Sequence, residues 1–101
     1  MKKGDCATFY MKKTLLAKSV RDERIYSGIV FRYDEKTECI DFQLESGELT
    51  ELSLDAIYEC VIQTEHGSQK CTGRMKERYC GKEGKIFKFE IENGFYKINL
   101  K

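Results

Sequence analysis

From residue 25 onward the alternation of apolar and polar positions predicts one β-strand after another. Residues 25–33 are rich in β-branched and aromatic side chains and stop at Asp34-Glu35-Lys36. Residues 39–45 alternate without a break, with Ile40, Phe42 and Leu44 on one face and Asp41, Gln43 and Glu45 on the other. That is the period of a strand with one wet face. Ser46-Gly47 signals a turn, after which residues 49–54 resume as a strand with Leu52 and Leu54 in phase. Asp55-Ala56 opens a short turn. Residues 57–64 are apolar on both faces, as expected of a strand covered on two sides, and His66-Gly67 closes it.

Residues 71–79 alternate less cleanly. Cys71, Gly73, Met75 and Tyr79 take one side, and Thr72, Arg74, Lys76 and Arg78 the other. Gly73 marks a bulge or bend where a sheet curls. Gly81 and Gly84 frame the next turn. The chain then shows a strong hairpin signal, with residues 86–92 and 95–100 separated by Asn93-Gly94, the preferred loop of a type I′ turn. This register pairs Ile91 with Tyr96, Phe89 with Ile98 and Phe87 with Leu100 on one face, and Glu90 with Lys97 on the other.

Residues 5–20 are ambiguous. Cys6, Phe9/Tyr10, Lys13, Leu16/Ala17 and Val20 fit helical spacing, whereas Phe9, Met11 and residues 14–17 also fit an edge strand. The segment 1–24 is therefore read as an N-terminal cap, a strand or a short helix, on a barrel formed by residues 25–101. Six or seven short strands with frequent turns imply a mainly β domain. Closure into a small antiparallel barrel hides the edges that a flat sheet would expose. A length of 101 residues accommodates a single domain. The expected core is Phe42, Phe87, Phe89, Ile91 and Ile98.

Composition narrows the function classes. Eighteen bases against 17 acids give a net charge of +1, without the positive excess usual in a dedicated nucleic-acid binder. No apolar run is long enough to span a membrane, and no signal-peptide core follows Met1-Lys2-Lys3. The charges are nonetheless segregated: residues 1–24 hold seven bases and three acids, residues 34–65 one base and ten acids, and residues 66–101 nine bases and four acids. Acidic strands lying beside basic ones account for this; a bipolar surface is the alternative.

The five cysteines, at 6, 39, 60, 71 and 80, have no Cys-x-x-Cys spacing, and His66 is the sole histidine. Neither a metal site nor a cofactor is indicated; reduced thiols, several serving as small core hydrophobes, are expected in a cytoplasmic protein. Catalysis lacks a base placed by spacing beside a nucleophile, so no catalytic residue is assigned and the chain is read as a non-enzyme. The candidate ligand-binding residues are Arg74, Lys76 and Arg78. On one strand face their side chains would stand about 7 Å apart, suited to phosphate oxygens. Alternatively, Arg74 and Lys76 face Glu90 and Glu92 and are ion-paired.

Arg74-Met-Lys-Glu-Arg78, set among short antiparallel strands, resembles the PilZ group of bacterial barrels, including the PilZ-like N-terminal domains of flagellar brake proteins. Tyr58-Glu-Cys-Val-Ile, Gly73-Arg-Met and residues 89–98 are similar to later strands of such domains, so the likeness covers about residues 25–100. It implies a split-barrel type of fold and a bacterial cytoplasmic origin. Members that bind cyclic di-GMP use Arg-x-x-x-Arg, followed by Asp/Asn-x-Ser-x-x-Gly. Here the first motif lies at 74–78 and no serine follows Ser68. The resemblance thus implies a degenerate PilZ-like regulatory or adaptor module working through protein contacts. The alternative is an anion binder, with cyclic dinucleotide or single-stranded nucleic acid on the Arg74/Lys76/Arg78 stripe and Tyr26, Tyr79 or Phe95 stacking.

Overall fold

Six antiparallel strands close into a barrel in the order β1-β2-β3-β6-β5-β4. The computed structural model describes residues 2–14, 24–54 and 56–97. The strands are β1 (Cys6–Thr14), β2 (Ile25–Asp34), β3 (Cys39–Ser46), β4 (Ala56–Thr64), β5 (Gly67–Gly81) and β6 (Gly84–Lys97). They form two meanders, β1-β2-β3 and β4-β5-β6, joined edge to edge by the β1–β4 and β3–β6 ladders. No strand edge is left open along the ring, which removes the pairing hazard of an exposed edge.

The expected mainly β barrel is therefore the architecture, with three local corrections. Of the two readings of this segment the strand holds and the helix does not for residues 6–14, and the strand is a stave between β2 and β4, not an edge or a cap, with Ala7, Phe9 and Met11 buried. The helical reading also used Leu16, Ala17 and Val20, which lie outside the described residues. The stretch 49–54 is not a strand. Leu49–Glu51 form a single 3-10 turn on the β3–β4 crossover, and Leu52 is fully buried while Leu54 is exposed. The Asn93-Gly94 hairpin does not form, because β6 runs straight through it. Between Thr72↔Asn93 and Lys70↔Tyr96 the register gains one residue on β6, so the dipeptide lies in a β-bulge that bends the strand. Ile91 faces Gly73 rather than Tyr96; Ile98 and Leu100 lie outside the described residues. The chain reverses instead at Lys82-Glu83, framed by Gly81↔Gly84, where Gly84 has φ +99°.

The interior is packed with aromatic rings. Phe9 of β1 meets Phe42, Phe87 and Phe89 edge-on, at centroid distances of 4.7, 5.0 and 5.5 Å, and Phe42 stacks on Phe87 at 5.4 Å. These are favoured geometries, each contributing about 0.5–1.5 kcal/mol beyond area burial. Ile40, Phe42 and Leu44 point inward as the alternation required. Cys60 and Cys71 are opposite one another on β4 and β5, both fully buried, and so fill the wall as small hydrophobes.

At Gly73 of β5 there is no room for a side chain beside β6. A Cβ there would overlap the Glu90 carbonyl oxygen and press on the Phe89 ring. Gly73→Ala is expected to cost about 1–3 kcal/mol in urea unfolding, as overpacking does. Gly81→Ala, whose added Cβ makes only ordinary contact with the Glu83 side chain, stays within about 0.5 kcal/mol of wild type. Equal effects would contradict the tight β5–β6 approach.

Candidate functional site

The bulges decide which side chains reach the outside. On β5 the register passes from Met75↔Phe89 to Glu77↔Lys88, leaving Lys76 as an extra residue. Beyond it the alternation is inverted. Tyr79, expected on the inner face, turns outward opposite Ile86, and Arg78 takes the register of inward-facing Phe87.

Arg74, Lys76 and Arg78 accordingly do not form a stripe. Arg74 lies opposite Glu90 on the outer face. The Lys76 ammonium is 3.9 Å from the same Glu90 carboxylate, not from Glu92. Arg78 reaches under the barrel end, where one guanidinium nitrogen donates to the Thr50 carbonyl at 3.1 Å and to the Leu52 carbonyl. Together with the Ser53 amide donating to the Tyr58 hydroxyl at 3.0 Å, this fastens the 3-10 turn and its Leu49 and Leu52 plug to the barrel mouth.

Acidic and basic strands do interleave. Lys70 pairs with the buried Glu59, Arg32 Nε sits 3.2 Å from Asp41 Oδ2, and Lys85 is 3.4 Å from Glu48. This cross-strand pairing is what the charge segregation of the sequence encodes.

A depression of about 440 Å³ opens on the outer wall of β2, β3, β6 and β5, within the size range of ligand pockets. It is lined by Arg32 and Asp34 of β2, Thr37 of the β2–β3 turn, Cys39 and Asp41 of β3, Lys88 of β6, and Glu77 and Tyr79 of β5. One row crosses all four strands, Arg32, Asp41, Lys88 and Glu77 standing at successive ladder positions with alternating charge. Asp41 is the unusual member. Its position on an expected wet face is only 8% exposed. Oδ2 is held by Arg32, whereas the buried Oδ1 has no hydrogen-bond partner among the described residues. Such an acceptor costs on the order of 1–3 kcal/mol. Strand alternation alone could not have singled out Asp41, because its burial comes from neighbours on β2 and β6. The inversion that adds Glu77 and Tyr79 is equally silent in the sequence.

Comparison with protein-family models, curated proteins and solved structures finds no match to this chain. The fold and site therefore define a closed antiparallel six-stranded barrel with a charged depression on its wall. Among the described residues, no helix is long and apolar enough to cross a membrane.

Two expectations follow. Arg78→Ala should lower unfolding free energy by about 1–3 kcal/mol, the scale of lost charge-assisted hydrogen bonds. Lys76→Ala, whose ion pair is exposed, should change it by less than about 1 kcal/mol. Urea midpoints read both, and an unchanged midpoint for Arg78→Ala would show that its carbonyl contacts hold nothing. The second concerns the thiols. Burial first, and then the hydrogen bond with Cys71, push the Cys60 thiol well up. Cys60 therefore stays protonated in the folded state above about pH 8.5, where the unfolded thiol ionises. Its contribution to stability is full below that pH and declines as pH rises. A thiol reagent at mildly alkaline pH should label exposed Cys6 and Cys80 rapidly and Cys60 and Cys71 only on unfolding; rapid labelling of Cys60 in the native protein would contradict its burial.

Proposed function

We propose that the chain is a non-catalytic, PilZ-like regulatory or adaptor domain of the cytoplasm, working through protein contacts made by the outer wall of β2, β3, β6 and β5. The observation that carries this reading is the division of the barrel into a filled inside and an indented outside. Phe9, Phe42, Phe87 and Phe89 pack against one another in the interior, which leaves the wall to recognise other molecules. The depression there combines charges of both signs with the half-exposed Tyr79, a mixture suited to protein surfaces. The closed antiparallel barrel supports the PilZ-like reading at the level of architecture. Non-catalytic character draws support from His66, whose side chain is 80% exposed in the β4–β5 turn, away from the buried Cys60 and Cys71 thiols.

The competing reading, an anion held by Arg74, Lys76 and Arg78, draws less support from the geometry. A phosphate would have to displace Glu90 from Lys76, and the Thr50 and Leu52 carbonyls from Arg78. Calorimetric titration with cyclic di-GMP and with a short oligonucleotide, at low and raised salt, tests the choice. The protein-contact reading expects no heat of binding from either. Salt-sensitive binding abolished by Arg74→Ala would overturn it in favour of the anion binder.

A further inference from the structure

We propose that Cys60 and Cys71 are a redox-sensitive pair, joined by a cross-strand disulfide when the β4–β5 hairpin opens in the presence of a hydroperoxide. Register brings them together. The two residues stand directly opposite one another in the antiparallel β4–β5 ladder. Both are 0% exposed and belong to the same core cluster, so both side chains point inward from neighbouring strands. Their thiols share a hydrogen bond and are therefore in contact. Opposed residues of an antiparallel pair have Cα atoms about 4.5–5.5 Å apart, inside the range of about 4.4–6.8 Å that a disulfide spans. Bonding the two sulfurs thus asks for a small approach and leaves the ladder in place. The other cysteines have no such partner in their ladders. Cys6 faces Ile29 and Gln63, Cys39 faces Asp34 and Glu90, and Cys80 faces Lys85.

Burial decides when the pair reacts. A thiolate, not a thiol, is the nucleophile, and the closed barrel both shields Cys60 and keeps it protonated. Opening of the hairpin, a local event, exposes the two thiols together, while the short connection through residues 61–70 holds them near each other. One thiolate then attacks the hydroperoxide. Its S–O bond forms as the O–O bond breaks, and the leaving oxygen takes up a proton, giving a sulfenic acid and an alcohol or water. The second thiolate attacks that sulfur; the S–S bond forms, the S–O bond breaks and the departing hydroxide leaves as water. Two thiols lose two electrons in all, and one hydroperoxide gains them. On reclosure the bond ties β4 to β5, so the oxidised barrel opens less readily than the reduced one. A dithiol reductant reverses the change.

Hydrogen peroxide treatment of the full chain, with and without sub-denaturing urea, tests this. Alkylation under denaturing conditions and peptide mass spectrometry then locate every thiol. A variant carrying Cys6→Ser, Cys39→Ser and Cys80→Ser, at exposed or half-buried positions, is treated beside the wild type to remove competing thiols. The expected product in the wild type is a Cys60–Cys71 cross-linked peptide, formed about tenfold or more faster where urea promotes opening. The oxidised chain should keep the dispersed amide spectrum of the barrel. Its β4 and β5 amides should exchange with solvent about tenfold or more slowly than in the reduced chain, and dithiothreitol should restore the faster exchange. The proposal is overturned if Cys60 and Cys71 are recovered alkylated, as sulfinic acids or bonded to other cysteines, or if urea leaves the rate unchanged. It is equally overturned if the cross-linked chain loses the dispersed spectrum or exchanges as fast as the reduced one.

Discussion

The Phe9 ring packs against Phe42, Phe87 and Phe89, and this contact both closes the barrel and fills it. Phe9 comes from β1, and its three partners come from β3 and β6 across the interior. Without the β1 stave, β2 and β4 would present open edges and the rings of the other strands would face water. With it the cylinder closes and fills. Loss of a buried phenylalanine of this kind generally costs about 3–5 kcal/mol, a large part of the stability of a domain this small. A filled interior also constrains what the protein can do, since recognition then falls to the walls and mouths.

Closure of six strands around so small a core demands curvature, and the chain supplies it with bulges. Register shifts occur in the β1–β4, β2–β3 and β5–β6 ladders. Each inserted residue bends its strand and inverts the faces beyond it. The device that shapes the cylinder is therefore also the one that equips its surface. The Phe31 bulge on β2 carries Arg32 to the outer face beside Asp41, and the Lys76 bulge on β5 brings Glu77 and Tyr79 there while directing Arg78 to the plug. Curvature and site are one construction.

This explains what could be read from the residues and what could not. The clean alternation of Ile40, Phe42 and Leu44 needed only the two-residue period of a strand, and those three side chains are buried. The charge segregation was legible for the same reason, because neighbouring strands in a barrel place acids beside bases. Asn93-Gly94 misled because a local turn preference competes with the ladder. There β6 stays in the β5 ladder, pairing Asn93 with Thr72 and Tyr96 with Lys70, and the dipeptide is taken up as a bulge instead of a reversal. Residues 49–54 misled because Leu52 is buried as the plug of the barrel end, not as part of a sheet. Phe9 could not be assigned from spacing, since helical and strand periods both fitted its segment. Asp41 lay on a face that alternation marks as wet; only the strands on either side of β3 bury it.

Aromatic nuclear Overhauser contacts in solution test whether β1 closes the cylinder around a phenylalanine cluster and whether β6 runs on through Asn93-Gly94. Cross-peaks from the Phe9 ring to those of Phe42, Phe87 and Phe89 are expected, together with backbone contacts between Thr72 and Asn93. A Phe9 ring without those partners, accompanied by cross-strand contacts between Ile91 and Tyr96, would contradict it.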